Sequence, residues 1–502
     1  MEKETKLLMK RTTLTLLSFL VAACLLLIAP AAAQSTEPPV EIHFAFLTFN
    51  RVSEALESVE SAIDEITVPR INVKVKLHPY SIADYAQQIN LALQSGEALD
   101  VFHTLGDLPQ SVSQNKVRDI TDLVDEYAPD AKAVVGDFLK AAMINGRLYG
   151  IPTYKGAALA PNLVYRADIM AEIGIDPATI TSFHDLTAVY AKVKETHPEM
   201  VPLTPDSAGS LGLIRSLHGI DFLGDDPFRL NNVGALIGDS LTVVNFFESK
   251  EFIDTITLTR DWYNAGYILK DAATTTSNCL EQLTGGKAFS CIASYSGQEA
   301  YVQISAQTGR DIRMVRLGQP YLTTSAVNAL TWSVASTSQH PEAALKFMNL
   351  IFSDRDVINL IIYGLEGRDY VKVDADHVRY PDGQDANTVP YTAQLSCGIV
   401  GNQFIQYAMD GTNMDDLKLW DYENKNSPRS PAFGFTFDNS GVTNEVSAVQ
   451  NVINEYLPGL STGSMDPEVE LPNFIAKLKA AGMDKIIAAK QAQLDAWVSQ
   501  QQ

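Results

Sequence analysis

The chain has 502 residues, which is too long for one ordinary hydrophobic core, so two or more lobes are expected. Hydrophobic residues make up 46% and charged residues 20% of the sequence, and this composition excludes a largely disordered chain. Residues 1–33 hold four of the 38 basic and two of the 60 acidic residues; the remaining net charge of −24 argues against nucleic acid or an anionic membrane surface as a partner.

Residues 1–33 have the pattern of a secretory signal peptide. Four basic residues between positions 3 and 11 precede the apolar run "TTLTLLSFLVAACLLLIAP", and "AAA" at 31–33 fits a cleavage site. The apolar run is slightly short for a membrane span, which disfavours a retained anchor. "LVAAC" at 20–24 resembles a lipobox, although apolar residues follow it, so lipid anchoring at Cys24 stays open beside free secretion. Either way, we expect the mature protein outside the cytoplasmic membrane.

The next segments alternate between strand and helix patterns. In chain order they are the buried strand "EIHFAFL" (41–47), the amphipathic helix "SEALESVESAIDEI" (53–66), the alternating strand "INVKVKLHP" (71–79), the helix "SIADYAQQINLALQSG" (81–96) with Ser81 as N-cap, and the strand "LDVFHTL" (99–105). A βαβαβ order predicts a parallel sheet.

Polar residues follow two of these strands. Asn50 and Arg51 come after the first strand, and His103, Thr104 and Asp107 come at the end of the third. Open parallel sheets bind ligands at the carboxyl ends of their strands, so these five residues are candidate ligand contacts. The competing interpretation is that they connect strand to helix, with Thr104 or Asp107 as a cap.

The stretch "INGRLYGIPTYKG" (144–156) predicts a small hairpin that stops at a proline. Asn145-Gly146 supplies the turn, and Pro152 has no N–H to donate in a sheet centre. The chain then presents Tyr154 and Lys155.

Mixed helix and strand patterns continue from residue 160, which predicts a second lobe. They are a strand and helix in "LVYRADIMAEIGID" (163–176), a helix in "ITSFHDLTAVYAKVKETHP" (180–198), a strand in "GGKAFSCIASYSGQ" (285–298), a strand and helix in "ALTWSVASTSQHPEAALKFMNLIFSD" (329–354), and amphipathic helices from 471 to 498.

Three cysteines remain after the first 33 residues: Cys279, Cys291 and Cys397. An exported protein permits disulfides, and Cys279 and Cys291 lie twelve residues apart. Spacing alone does not prove geometry, so a local disulfide and free buried thiols both stay open. No CxxC or His/Cys metal spacing is present, and we expect neither a metal nor a cofactor.

Several stretches resemble one family, the extracytoplasmic solute-binding proteins of ABC importers in the large sugar-binding branch. They are "GRLYGIPT" (146–153), "LVYRADIMAEIGID" with "SFHDL", and "STSQHPEAALKFMNLIFSD". The later stretches "YGLEGRDYVKVD" and "GNQFIQY" resemble a LipO-like subgroup with a long C-terminal region. Each motif alone is weak, but they occur in the family's order.

The resemblance implies a two-lobed periplasmic-binding-protein-like α/β fold of type II, with a ligand cleft between the lobes and a helical C-terminal region. It implies lobe 1 from residues 37–152 plus 292–332, and lobe 2 from 153–291 plus 333–502. The chain would cross between lobes after Pro152 and return near Cys291 and Trp332. Hinge closure around a solute would then present a monomeric protein to membrane permease subunits.

A sugar ligand calls for aromatic faces and polar groups that meet hydroxyls. Tyr154 and Lys155 at the crossing, Tyr295 and Ser296 after the return strand, and Trp332 are therefore candidate contacts. A peptide or other small polar solute in the same fold is the alternative cargo.

Two enzyme alternatives are weaker. "IGDSL" (237–241) matches a short serine-esterase signature, and "DADH" (374–377) has a matching acid–base spacing, but Ser240 lies far from the N-terminal position such a nucleophile occupies. A secreted glycoside hydrolase needs a carboxylate pair that sequence cannot exclude.

Overall fold

The computed structural model describes residues 37–48, 53–207, 209–224, 233–295, 301, 304–305, 308–393, 395 and 398–501. The predicted signal peptide with Cys24, the candidate contacts Asn50, Arg51 and Ser296, and Cys397 lie outside the described residues.

Seventeen strands are assigned among the described residues. They are β1 Val40–Thr48, β2 Val73–Ser81, β3 Val101–His103, β4 Met143–Ile144, β5 Arg147–Leu148, β6 Ile151–Pro152, β7 Ala160–Arg166, β8 Val201–Leu203, β9 Ile220–Asp221, β10 Gly234–Ile237, β11 Val244–Asn245, β12 Ala288–Tyr295, β13 Ile312–Arg316, β14 Thr331–Val334, β15 Val371–Lys372, β16 His377–Arg379 and β17 Ala408–Met409.

The α-helices of the described residues are α1 Leu56–Ile71, α2 Tyr85–Ser95, α3 Leu108–Ser113, α4 Val124–Tyr127, α5 Pro129–Val135, α6 Ala167–Ile173, α7 Leu186–Thr196, α8 Lys250–Asn264, α9 Cys279–Thr284, α10 Thr324–Asn328, α11 Pro341–Ser353, α12 Arg355–Tyr363, α13 Met414–Asn426, α14 Thr443–Ser461, α15 Pro467–Ala480 and α16 Met483–Gln501. None of the helices in these ranges is long and apolar enough to cross a membrane.

The first sheet has the order β2-β1-β3-β14-β6. Its β1 strand pairs in parallel with β2 and β3, as the βαβαβ pattern predicts, while β14 runs antiparallel to β3 and β6. Pro79 is accommodated because β2 is an edge strand. Ser81 is not the N-cap of α2 as predicted: that helix begins at Tyr85, and Ser81 ends β2 with its hydroxyl on the Asp84 carboxylate, 2.6 Å away.

The predicted small hairpin is confirmed. Met143 pairs with Leu148 and Ile144 with Arg147, and the two turn residues, Asn145 and Gly146, have φ of 51° and 76°. Positive φ at both central positions is what a two-residue turn between right-twisted strands requires.

The second sheet has the order β13-β7-β12-β8. Strands β8, β12 and β13 run in one direction and β7 in the other. One face packs against α6, α7 and the end of α8, where Trp262 and Tyr190 are both fully buried. This sheet and its helices form the second lobe.

A third core joins the short β9–β10–β11 sheet to the C-terminal helices α14, α15 and α16. Lys490 of α16 is fully buried and donates to the carbonyl oxygens of Phe222, at 3.1 Å, and Gly234, at 2.9 Å. Its ammonium also lies 5.4 Å from the ring centre of Phe437. The contacts offset the cost of burying the charge and fix α16 on the sheet.

The predicted lobe boundaries need correction. Residues 292–316 were assigned to lobe 1, but β12 and β13 pair with β7 in the second sheet. Residues 341–363 were assigned to lobe 2, but α11 and α12 bury their apolar faces in the core of the first sheet. The return to the first lobe therefore lies between β13 and β14, and Cys291 is in the middle of a second-lobe strand.

Cys279 and Cys291 form a disulfide, which decides between the two alternatives left by their spacing. The bond joins the first residue of α9 to β12 beside a small apolar cluster that includes Val164, Leu283 and Ile312. A local disulfide fits an oxidising compartment.

Candidate functional site

In both lobes, the carboxyl ends of the parallel strands lie next to the chain segments that connect one lobe to the other. In the first sheet, β1, β3 and β6 end there, and in the second, β12 and β13 do. Ligands of open α/β sheets bind at such edges. The region around the crossing segments is therefore the candidate binding site.

Three crossing segments lie side by side. The first (153–159) joins β6 to β7, the second (317–322) follows β13, and the third (427–431) follows α13. The backbone N–H of Tyr321 donates to Leu159 O at 2.9 Å, that of Leu322 to Pro428 O at 3.0 Å, and that of Ser430 to Leu322 O at 2.9 Å. The three crossing segments are thus joined to one another where the chain passes between the lobes, and adjacent crossings of this kind suit a hinge motion.

His103 ends β3 and is 2% exposed. Its backbone N–H donates to the Tyr85 hydroxyl at 2.7 Å, and its Nδ1 accepts from the Leu105 N–H at 3.1 Å. Within the described residues, Nε2 has no hydrogen-bond partner. Burial, together with the positive charge of Lys155, lowers the pKa of His103 to about 3. The ring is therefore neutral at physiological pH, and its Nε2 is a buried polar atom.

This pKa predicts a pH dependence of stability. Between pH 6.5 and about 3 the unfolded chain binds a proton at His103 that the folded protein does not, so the free energy of unfolding falls as the pH falls. Between pH 7 and pH 5 the loss is about 2 kcal/mol. We expect His103→Gln to lose this pH-dependent part of the free energy of unfolding, as measured by urea unfolding at the two pH values. The control variant His184→Gln changes an exposed histidine and should keep the pH dependence of the parent. Equal pH dependence in the parent and His103→Gln would contradict the prediction.

Thr104 and Asp107 shape the turn after β3. The Thr104 N–H donates to Thr331 O at 3.0 Å, and the Asp107 N–H donates to Thr104 O at 3.0 Å. Asp107 occupies the N-cap position of α3 without a side-chain cap hydrogen bond. With its amide nitrogen turned toward Asp107, Gln110 donates to both carboxylate oxygens, at 2.8 and 2.9 Å. Thr104 is buried and Asp107 is half-buried, so the structure favours the connecting role for both.

Tyr154 does not face the space between the lobes as predicted. It is 8% exposed, its hydroxyl donates to Asp421 at 2.7 Å, and its ring packs edge-on against Phe404. Burial and the Asp421 carboxylate raise its pKa. Lys155, the next residue, is half-buried, and its carbonyl accepts from the Asn424 amide at 2.7 Å. Tyr154 therefore fixes the first crossing segment onto α13.

Trp332 is fully buried, which contradicts its prediction as an aromatic exposed in the cleft. Its indole stacks on Phe44 with ring centres 4.7 Å apart, and its Nε1–H donates to Ile399 O at 3.0 Å. The ring of His103 packs edge-on against it at 5.0 Å. Trp332 therefore supports His103 from within the core.

Tyr295 is the last residue of β12 and lies opposite Ala160, where the first crossing segment enters the second sheet. Its backbone is thus at the carboxyl edge. The structure brings His103, Thr104, Lys155 and the backbone of Tyr295 to the crossing region, while Tyr154 and Trp332 are buried behind it.

Helix α13 is the element that sequence reasoning missed. Arg316, at the end of β13, donates to both carboxylate oxygens of Glu423, at 2.5 and 3.3 Å, and the Glu423 side chain is 8% exposed. Trp420 is buried, whereas Tyr422 is 62% exposed. The sequence shows only an acidic stretch here, and the partners of α13 are distant along the chain.

The esterase alternative lacks its hydrogen-bond geometry. Ser240 Oγ accepts the Thr242 N–H at 3.0 Å, as a turn residue does. His377 Nδ1 contacts Asp374, and its Nε2 lies 2.9 Å from Thr412 O. Both ring nitrogens are therefore engaged, Nδ1 with a carboxylate three residues away and Nε2 with a carbonyl oxygen from a later part of the chain. In the described residues, no group of three His, Cys, Asp or Glu side chains is placed to hold a metal ion.

Two α/β lobes joined by three adjacent crossing segments, with a helical C-terminal region, define a two-lobed solute-binding fold. The family model of bacterial extracellular solute-binding proteins matches residues 62–363, and the chain belongs to this family. Residues 431–499 match a domain of unknown function, DUF3502. Membership places the protein outside the cytoplasmic membrane and in a family that binds solutes, which disfavours both enzyme alternatives.

Similar proteins agree with this assignment. A carbohydrate ABC transporter substrate-binding protein of Streptococcus pneumoniae serotype 4 (strain ATCC BAA-334 / TIGR4) is 24% identical over 472 residues, which cover 93% of this chain and 92% of that protein. The crystal structure of the N-glycan transport solute binding protein NgtS from S. pneumoniae has a TM-score of 0.77 at 22% identity, covering 93% of this chain and all of that chain. NgtS in complex with Man5GlcNAc gives 0.68 at 23% identity over the same shares.

Proposed function

We propose that the protein captures an oligosaccharide between its lobes and delivers it to the membrane subunits of an ABC importer. The observation that carries the proposal is the convergence of both carboxyl edges on three crossing segments that are joined to one another by backbone hydrogen bonds. The named relatives support a carbohydrate as the cargo, since one is a carbohydrate transporter component and another is a complex with Man5GlcNAc. The protein acts as a monomer, and the choice between free secretion and a lipid anchor at Cys24 stays a prediction.

The site chemistry suits hydroxyl-rich ligands. Lys155, half-buried on the first crossing segment, supplies a cation for the oxygen atoms of such a ligand. Asn50, Arg51, Tyr295 and Ser296 remain proposed contacts from the sequence.

Ligand capture has a direct thermodynamic test. At ~1 mM, an oligosaccharide with a dissociation constant of ~1 μM stabilises the folded protein by about 4 kcal/mol through mass action. We therefore expect one oligosaccharide class, in a panel of mono- and oligosaccharides and short peptides, to raise the thermal midpoint by several degrees without being cleaved. A rise in the thermal midpoint with peptides alone would identify a peptide and not a carbohydrate as the ligand. Cleavage of a bound sugar would contradict the binding-protein role.

The ligand identified in the panel allows a test of the site. We expect Lys155→Ala to weaken its binding by about tenfold in isothermal titration calorimetry, since a cation on the first crossing segment is lost. Lys74→Ala removes the same side chain from an exposed position on the edge strand β2 and serves as the matched control. Equal affinities of the two variants would place the ligand elsewhere.

A further inference from the structure

A pocket of about 150 Å³ lies between the loop after β8 and helix α14 of the C-terminal region. The loop contributes Ser207, Ser210 and Arg215, and the helix contributes Asn454, Leu457 and Pro458. The volume holds several water molecules, and the lining mixes polar groups with an apolar wall. Small-molecule sites have this composition.

The polar side of the pocket is built around a paired arginine. Nη2 of Arg215 donates to Asp206 at 2.5 Å, Ser207 Oγ at 2.8 Å and Ser210 Oγ at 3.0 Å. The side chains of Arg215 and Asp206 are only 15% and 18% exposed, so the ion pair belongs to the wall of the pocket. Because the two charges balance, the pocket favours an uncharged ligand with hydroxyl groups over a carboxylate or phosphate.

The opposite wall is held close by a glycine. Gly209 has φ of +69°, and a Cβ at this position would come within 3.1 Å of Pro458 Cβ. The Ser461 hydroxyl donates to Gly209 O at 3.2 Å, which fastens the end of α14 to the loop. The C-terminal region is therefore a fixed part of the pocket.

The loop also reaches the crossing segments. Ser216 Oγ lies 2.7 Å from Ser294 Oγ near the carboxyl end of β12, and His218 Nδ1 lies 3.0 Å from the carbonyl of Gln319 in the second crossing segment. His218 is three residues beyond Arg215, a span of at most about 11 Å of extended chain. A ligand of several sugar residues is long enough to reach from the crossing region to the pocket.

We propose that this pocket is a subsite for one neutral sugar residue of a longer oligosaccharide. This proposal rests on the proposed carbohydrate function. It gives the region matched by DUF3502 a part in ligand selection. The C–H face of the sugar packs on Leu457 and Pro458, and its hydroxyls bond to Ser207, Ser210 and the Asn454 amide. The subsite selects for ligand length, because a short glycan held at the crossing segments does not extend to α14.

Blocking the pocket tests the proposal. Asn454 is exposed, so Asn454→Phe fills the pocket without disturbing the core, and Asn451→Phe, one turn earlier at an exposed position outside the pocket lining, is the matched control. The probes are Man1GlcNAc with Man5GlcNAc, and maltose with maltohexaose, in isothermal titration calorimetry with the full secreted protein. We expect Asn454→Phe to weaken binding of the longer glycan about tenfold and leave the shorter one within twofold. Asn451→Phe should match the parent with both.

Hydrogen exchange gives a readout that needs no variant. The longer glycan should protect residues 209–215 and 451–461 of the parent, and the shorter glycan should not. Unchanged long-glycan affinity in Asn454→Phe, or equal protection by both glycans, would overturn the subsite while leaving carbohydrate binding intact. A parent protein that binds none of the probes would instead count against the proposed function and the subsite together.

Discussion

Replacing Trp332 by alanine is expected to lower the free energy of unfolding by about 4 kcal/mol, in the range found for buried tryptophan and phenylalanine residues. The side chain is completely buried, stacks on Phe44 and donates to the Ile399 carbonyl, which in the variant would keep only its hydrogen bond from the Thr153 hydroxyl. Urea unfolding at neutral pH measures the loss. No other single change in the first lobe considered above removes as much buried surface.

Trp332→Phe separates packing from ligand contact. It keeps an aromatic ring against Phe44 and loses the hydrogen bond to Ile399, so we expect a cost of about 1–2 kcal/mol. Because Trp332 lies behind His103 and not in the cleft, the affinity of Trp332→Phe for the identified oligosaccharide should equal that of the parent. If Trp332→Phe stays folded but binds the oligosaccharide about tenfold more weakly, Trp332 contributes to ligand binding and the prediction is wrong.

The elements that sequence predicted well are those whose signal is local. The alternation in "INVKVKLHP" determines which face of β2 is buried, and the stripe of Ala344, Phe347 and Met348 determines the buried face of α11. Neither pattern indicates which element the buried face packs against. Residues 292–316 were placed in the wrong lobe because β12 and β13 are defined by pairing with β7, more than a hundred residues earlier.

The same limit applies to the site. The position of His103 after a parallel strand is enough to predict its place at the carboxyl edge. The burial of Trp332 depends on Phe44 and Ile399, and that of Tyr154 depends on Asp421 and Phe404, all from distant parts of the chain. An aromatic residue near a predicted crossing has the same sequence pattern whether it is buried in the core or exposed in the cleft. The exposure of Trp332 and Tyr154 therefore could not be predicted without the structure.

The Cys279–Cys291 disulfide is expected to contribute about 3 kcal/mol to the stability of the second lobe. Closing a loop with a sequence separation of 12 removes conformational entropy of that size from the unfolded chain. The apolar cluster beside the bond is small, with Val164, Leu283 and Ile312 among its few buried members, so packing alone holds α9 weakly. We expect Cys279→Ser/Cys291→Ser to unfold at lower urea concentration and α9 to exchange its amide hydrogens faster.

Reduction provides the control for this prediction. A reductant should bring the parent to the stability of the double serine variant and leave that variant unchanged. Because Cys291 lies in the middle of β12, away from the crossing segments, oligosaccharide affinity should be the same in both proteins while they are folded. A reductant that destabilises the double variant would point to another disulfide, and a parent insensitive to reduction would show that the cross-link adds nothing to the folded lobe. The predicted stabilisation of the second lobe would begin after export, when the chain reaches a compartment in which the disulfide can form.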